Sequence, residues 1–335
     1  MDTYAQSPGE MTAAVLTAPR QMRIDRCPIP SPTAAQVRVK LQGCGLCASN
    51  IPSWQGREWF SYPMAPGGLG HEAWGIVDAV GANVRNLQVG DRVTMLSGHA
   101  YAQYDVAPAS QVVHLPASLN NRPFPGEPLG CVMNILARSG IKRGQNVAIV
   151  GIGFLGAALT QLAVARGANV IAVAGRPFSH DVAARMRAAH VLHMHDHAEV
   201  IERVKHITKS RCCDVVIECT GQQEPLNLST ELCRIRGRLV IAGYHQDGLR
   251  QVNMQLWNWR GLDVINAHER DPQRYVRGIR QAVVAVMEGL LDPWALVTHQ
   301  WPLEEISTAM RTLEDRPDGF LKGIVVMSPP ARELA

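Results

Sequence analysis

Three side chains in this sequence have the chemistry to hold one divalent metal. Cys47 stands in a loop after a strand (Gly43-Cys44-Gly45-Leu46-Cys47-Ala48-Ser49-Asn50), His71 in a second loop (Gly70-His71-Glu72), and Glu127 in a stretch that opens a helix (Gly126-Glu127-Pro128-Leu129-Gly130-Cys131). A thiolate, an imidazole and a carboxylate, with water in the fourth place, make an open tetrahedral zinc site. Such a site polarises an alcohol or carbonyl oxygen and lowers the pKa of a bound hydroxyl. Taken singly, each residue also has an ordinary structural reading. A cysteine packs well in a core, an isolated histidine is commonly just hydrogen-bonded, and Glu127 suits the first turn of a helix on charge grounds alone.

A second chemistry is written at Gly151-Ile152-Gly153-Phe154-Leu155-Gly156, between the apolar run Val147 to Val150 and a helix-period segment, Ala157 to Arg166. Strand, glycine turn and helix in that order point to a dinucleotide site, with a plain βα turn of some other doubly wound sheet as the alternative. Gly151 permits the tight turn, Gly153 keeps side chains off a pyrophosphate, Gly156 lets helix and strand approach, and the helix N-terminus receives the phosphates. An NAD site carries an Asp or Glu about 20 residues on, at the end of the second strand, for the ribose 2′-hydroxyl. Here that place reads Ala174-Gly175-Arg176-Pro177, with no carboxylate. Small groups followed by a guanidinium suit a 2′-phosphate, so NADP(H) is expected over NAD(H); Arg176 as a plain solvated turn residue is the alternative. Metal and nicotinamide together point to hydride transfer between an alcohol and a carbonyl.

The elements that must position these groups fall into two kinds. Short β-type runs separated by Gly, Pro and Asn occupy residues 11 to 120 (13–16, 36–41, 75–80, 92–95, 102–106 and 111–114), which predicts an all-β domain with long loops. From Glu127 a helix leads into alternating strands (147–150, 170–173, near 191, 214–218, 238–242, 262–265) and helices (157–166, 181–189, 199–208, 225–233), then a long amphipathic helix, 272–288. That alternation implies a doubly wound parallel sheet. A strand (296–300), a helix (303–313) and a strand (321–326) close the pattern, and the Ser328-Pro329-Pro330 tail should be loose.

At 335 residues two domains are expected. A net charge of +4 with no basic block gives no argument for nucleic acid, and no apolar run has the length of a membrane span. The stretch MDTYAQSPGEMT has no signal-peptide pattern, and eight scattered cysteines fit reduced thiols in the cytoplasm.

With Gly43 to Asn50, Gly70-His71-Glu72, Val89-Gly90-Asp91-Arg92-Val93, Glu127-Pro128-Leu129 and the 151–156 turn in one order, the chain resembles the zinc-dependent medium-chain alcohol dehydrogenases, in their sorbitol and glucose dehydrogenase-like polyol branch. The resemblance covers nearly the whole chain. It implies a GroES-like β domain (1–125 and 290–335) and a Rossmann domain (126–289). It implies one catalytic zinc on Cys47 and His71, with Glu127 as third ligand or as partner of the metal-bound water, and Glu72 as a neighbouring carboxylate able to enter the coordination sphere. Ser49 falls where a hydroxyl takes the substrate proton, Arg176 where the 2′-phosphate is held, Thr220 and Gly221 on the adenine-side pocket wall, and Lys322 where a basic residue reaches the pyrophosphate. A homodimer or homotetramer is implied as well.

Three departures stand out. Asn50 replaces the usual Asp, so the bond that orients a zinc-ligating histidine is expected to come from a neutral amide. Pro52 replaces the outer histidine of the proton relay. The region Thr94 to Tyr101 has no cysteine, so no structural zinc is expected. The tract His190, His193, His195, His197 resembles a metal tract by composition but reads better as a solvated loop after a short strand. Trp54, Trp59 and Phe60 could line a substrate cleft, and Trp257 and Trp259 a sheet edge or subunit contact. The expected activity is zinc-dependent hydride transfer between NADP(H) and a secondary alcohol or its ketone, the alcohol a polyol, sugar or cyclitol. Two rivals remain on the residues alone: a zinc-free NADPH-dependent quinone or enone reductase, and a non-catalytic NADPH-binding protein.

Overall fold

A computed structural model describes residues 9–119 and 122–327, so the expected loose tail from Ser328 lies outside the described residues. The chain separates into two compact units: Met1–Glu127 with His299–Pro317 and Gly323–Ala335, and Pro128–Thr298 with Asp318–Lys322.

The first unit begins with a hairpin of β1 (Glu10–Ala18) and β2 (Gln21–Pro28), paired in antiparallel register from Glu10↔Pro28. The sequence reading finds only the first of these strands, because β2 has no fully buried position to mark an inner face. Then come β3 (Gln36–Gly45), the short helix α1 (Ile51–Gln55), β4 (Glu72–Val80), β5 (Arg92–Leu96), β6 (Tyr104–Pro108) and β7 (Val112–His114).

The helix α2 (Gly126–Ser139) leads into the second unit, built from β8 (Asn146–Val150), α3 (Phe154–Ala165), β9 (Asn169–Ala174), α4 (Pro177–Arg185), β10 (His190–His193), α5 (His197–Ile207), β11 (Cys213–Glu218), α6 (Gln223–Leu232), β12 (Cys233–Ile241), α7 (Met254–Arg260), β13 (Asp263–Asn266) and α8 (Pro272–Met287). Its strands form one parallel sheet in the order β10-β9-β8-β11-β12-β13, a Rossmann-type sheet whose order reverses beside β8. Both α3 and α4 begin earlier than periodicity suggests. The turn residues Phe154 to Gly156 already belong to α3, and Pro177, with φ pre-set for a helix, takes the first position of α4. The helix α7 has no buried residue, so no apolar stripe marked it in the sequence.

The chain then returns to the first unit through β14 (His299–Pro302), α9 (Ile306–Asp315) and β15 (Gly323–Val326). The main sheet of this unit runs β14-β15-β3-β4-β5-β7, with β6 also paired to β3. Antiparallel β15 lies directly against the end of β3, with Ile324 opposite Gly45 and Val325 opposite Cys44. The base of the Leu46–Asn50 loop is thereby tied down, and the Leu46 amide donates to the Gly323 carbonyl at 2.9 Å.

Trp54, expected near substrate, is instead fully buried and anchors α1 to α9. Its indole N–H donates to Glu314 at 2.7 Å, and the same carboxylate takes bonds from Gln55 (2.8 Å) and Arg20 (2.6 Å). The Arg20 bond leads in holding the Glu314 carboxyl down to about 2, with Gln55 and Trp54 adding to it against a burial cost. A pKa depressed by folding stabilises the native state above the unfolded value near 4.5, and the contribution drains away as pH falls towards about 2. Glu314→Ala should therefore cost roughly 2 kcal/mol at neutral pH, chiefly by removing the charged acceptor of the Arg20, Gln55 and Trp54 bonds. Urea midpoints of the two proteins should converge as pH is lowered through that window.

No helix among the described residues is long and apolar enough to cross a membrane.

Candidate functional site

The site in the first unit grows out of two strand ends. Cys47 follows β3, and His71 immediately precedes β4. One ligand atom each from Cys47, His71 and Glu72 lie within 4.8 Å of one another, with Glu72 fully buried and the other two half-buried. Gly45 makes the approach of Glu72 possible. A Cβ built there would sit 1.8 Å from Glu72 Oε2, so only a residue without a side chain fits beneath the carboxylate. Ser49 donates from its hydroxyl to Cys47 Sγ at 3.2 Å.

Glu127 stands outside that three-residue cluster. Its place is set through Thr94, whose hydroxyl donates to the Ala73 carbonyl (2.7 Å) and accepts from the Gly126 amide (3.1 Å), so the start of α2 lies beside the start of β4. Glu127 still acts on His71. Burial pushes the imidazole down, but the Cys47 sulfur, Glu127 and Glu72 together overcome it and bring the pKa up to about 10. A pocket that draws a positive charge onto histidine this strongly suits a cation, and thiolate, imidazole and carboxylate are zinc donors. The residues fit the metal.

The orientation of His71 differs from the sequence expectation. Its Nδ1 donates to the Leu69 carbonyl at 2.8 Å, not to the Asn50 side chain, which leaves Nε2 as the other ring nitrogen. Asn50 Nδ2 donates to the same Leu69 carbonyl (3.1 Å), while its Oδ1 accepts from the Tyr101 hydroxyl (3.0 Å). An Asp here would turn an oxygen towards a carbonyl oxygen; the amide is what this geometry needs. Leu69 has φ +74°, a left-handed conformation costly for a non-glycine residue, and so aims its carbonyl at both donors. Tyr101, in the stretch that lacks cysteines, is fully buried. Burial first, and then the Cys44, Glu72 and Cys47 charges, push its pKa well above the usual phenol value, so it remains a proton donor.

In the second unit Gly151 turns with φ +95°, and a Cβ on Gly156 would lie 2.0 Å from the Gly151 carbonyl oxygen, so helix and strand do meet there. Nothing lies within 4 Å of a Cβ position on Gly153, and Phe154 and Leu155 form the first turn of α3. Lys322 is nearly buried, its ammonium 4.9 Å from the Phe154 ring centroid. Gly175 is exposed, and the half-buried Arg176 donates to the Phe320 carbonyl at 3.1 Å. Lys322 thus lies beside the turn at Phe154, and Arg176 is tied to the same chain segment through Phe320. Thr220 and Gly221 are held by Glu218, a carboxylate the sequence reading passes over as a strand end. Glu218 accepts from the amides of Thr220 (2.6 Å) and Gly221 (2.9 Å) and from the Thr220 hydroxyl. It also accepts from His245 Nε2 (3.0 Å), whose Nδ1 accepts in turn from Arg250 (3.0 Å). A charged residue closing an otherwise apolar strand was the available signal.

The remaining aromatics divide. Trp59 is exposed, whereas Trp257 packs on the core of the second unit and donates to Thr230 at 3.1 Å. The histidine tract is not a loop: His190 and His193 lie within β10, and His197 begins α5.

Residues 33–117 match the family model of the alcohol dehydrogenase GroES-like domain, and residues 155–283 that of the zinc-binding dehydrogenases. Sorbitol dehydrogenase of Bacillus subtilis (strain 168) is 26% identical over 90% of this chain and 93% of its own. A candidate zinc-binding dehydrogenase of Sinorhizobium meliloti 1021, solved bound to NADP, superposes with a TM-score of 0.81 at 25% identity, over 95% of this chain and 99% of that one. An Escherichia coli oxidoreductase/dehydrogenase of unknown specificity involved in membrane biogenesis shares the fold, with a TM-score of 0.86 at 22% identity over 96% and 100%.

Proposed function

Because this chain belongs to the zinc-dependent medium-chain dehydrogenase family, we propose that it interconverts a secondary alcohol, of the polyol, sugar or cyclitol class, with its ketone, using NADP(H). The observation that carries this reading is the meeting of Cys47, His71 and Glu72 with Ser49 at hydrogen-bond distance from the cysteine. Zinc held by Cys47 and His71 with Glu72 or Glu127 would supply Lewis-acid polarisation of the substrate oxygen, and the nicotinamide would exchange hydride with the substrate carbon. Ser49 takes up the hydroxyl proton when the alcohol is oxidised and returns it in the reverse direction. Leu69 and Asn50 hold the His71 ring in one tautomer while this happens. With Pro52 buried where a relay histidine would stand, the proton leaves Ser49 through solvent.

The polyol class is supported by sorbitol dehydrogenase relatives that align along nearly the full chain. The cofactor preference is supported by the missing carboxylate at 174–177, by Arg176 and by the NADP bound in the Sinorhizobium relative. The test is turnover over a panel of polyols, cyclitols, simple secondary alcohols, quinones and enones, with each cofactor. Arg176→Ala should lower kcat/KM for NADP+ roughly 10- to 100-fold, the loss of one or two charge-assisted hydrogen bonds, and leave that for NAD+ unchanged. Equal use of both cofactors by the unaltered protein would overturn the preference, and turnover of quinones alone would overturn the substrate class.

A further inference from the structure

Three imidazoles converge on the strand end from which Arg176 projects. His180, in the first turn of α4, donates from Nε2 to the Ala174 carbonyl at 2.8 Å. His193, the last residue of β10, is the register partner of Ala174, and its ring lies 4.0 Å, centroid to centroid, from that of His180. His195 follows, its ring 3.9 Å from that of His193. The same Ala174 carbonyl accepts from the Met194 amide (3.0 Å), and the Met194 methyl lies 3.6 Å from the Cβ position of Gly175. Ser179 and His180 donate their amides to the Arg176 carbonyl at 3.0 and 3.3 Å. The loop after β10 and the first turn of α4 therefore enclose the Ala174-Gly175-Arg176 turn from two sides, and each brings imidazoles to it.

His193 and His195 are exposed, and a protonated ring among these neighbours meets repulsion. Burial, then His180 and His195, hold the His193 pKa below its ordinary value, with Glu199 opposing them. The groups acting on it are His180 from α4, His195 from the loop after β10 and Glu199 from α5. Asp196 is committed as the cap of α5, accepting from the Glu199 amide at 3.1 Å. An anion placed on the turn would remove the repulsion and favour protonation.

We propose that His193 and His195 are part of the subsite for the 2′-phosphate of NADP(H), and that they make the choice between the two cofactors depend on pH. The inference rests on the NADP(H) reading above. A neutral imidazole offers the phosphate one N–H and no charge, whereas a protonated ring offers a charge-assisted bond. Discrimination should therefore strengthen as pH falls through the histidine range.

The test measures dissociation constants of NADP+ and NAD+ by calorimetry between pH 8 and pH 6, for the unaltered protein, His193→Asn/His195→Asn and Arg176→Ala. Groups that affect both cofactors cancel in the ratio of the two constants. The 2′-phosphate has its own proton equilibrium near pH 6, which cancels between unaltered protein and variant. The expected result is a preference for NADP+ that grows about tenfold more on acidification in the unaltered protein than in the double variant, the linkage of a one-unit pKa shift. Proton uptake on NADP+ binding, read from buffers of different ionisation enthalpy, should fall in the variant. Both histidines are exposed, so the variant should fold. If NADP+ is preferred but the pH dependence is the same in both proteins, the histidine subsite is wrong and the NADP(H) reading stands. If NADP+ binds no tighter than NAD+ at any pH and Arg176→Ala changes nothing, both fall.

Discussion

Cys47→Ser should leave the protein folded, empty of zinc and at least about a thousandfold less active. Cys47 contributes the one sulfur of the cluster, and a serine hydroxyl in its place does not ionise at neutral pH and is a poor zinc ligand. Loss of the metal removes the polarisation of the substrate oxygen, which supplies several kcal/mol of transition-state stabilisation and hence a factor of this size. The first readout is metal per chain on protein purified without added metal: about one zinc in the unaltered protein, as an open catalytic site requires, and none in the variant. Full zinc and full turnover in Cys47→Ser would remove the cysteine from the ligand set. About two zinc ions per chain would mean that a second site exists despite the cysteine-free stretch at 94–101. Glu72→Gln and Glu127→Gln then decide the third protein donor. Whichever loses zinc binding by 10-fold or more is the ligand, and the other keeps its metal.

Gly45→Ala is expected to do comparable damage from a position that touches no substrate. The added methyl would meet Glu72 Oε2 at 1.8 Å and the Glu72 side-chain carboxyl carbon at 2.9 Å. Gly45 is fixed from below by its pairing with Ile324, so the strand cannot retreat and the carboxylate must turn away. With Glu72 as the third donor, zinc affinity should drop roughly 10- to 100-fold, as when the support of a metal ligand is removed; with Glu127 in that role it should change little. Because the methyl acts through the carboxylate, Gly45→Ala and Glu72→Gln should be strongly non-additive: once Glu72 has lost its charge, the methyl should change zinc affinity little further. Independent, additive effects would mean that Gly45 matters for the sheet alone. Circular dichroism on the metal-free variant separates that case, since a local displacement leaves the spectrum intact.

Much of this architecture is legible before any coordinates. The helix–strand alternation after Glu127 produces the six-stranded parallel sheet, because each of its strands contains at least a short apolar run, as brief as Val191-Leu192 and Val264-Ile265. The hairpin strand β2 and the helix α7 escape notice for one reason: neither buries a face, so neither carries a period. At the site, Cys47, His71, Glu127 and the glycine turn stand out because their types are chemically loaded. Gly45, Leu69 and Tyr101 do not, because their roles are set by register and backbone direction. That Gly45 meets Glu72 follows from the pairing of β3 with β4, and the left-handed conformation of Leu69 belongs to the turn before β4; neither is visible in residue type. Asn50 illustrates the intermediate case. Its departure from Asp is plain in the sequence, but its meaning depends on the carbonyl it faces.

The discontinuity of the first unit sets a timetable during synthesis. Pro128–Thr298, nearly all of the second unit, leaves the ribosome as one continuous block whose sheet contains strands from that block alone, so it can fold while translation proceeds. The first unit cannot keep pace. Although β3 is made early, the edge beside Gly43 to Gly45 stays unpaired until Gly323–Val326 emerges, and Trp54 has no acceptor until Glu314 arrives. The loop bearing Cys47 is thus translated before the second unit and ordered after it. A nascent chain stalled before residue 299 would carry a formed Rossmann-type sheet and an open β3 edge exposed to other chains. The proposed metal site is complete only after Gly323–Val326 has closed the sheet.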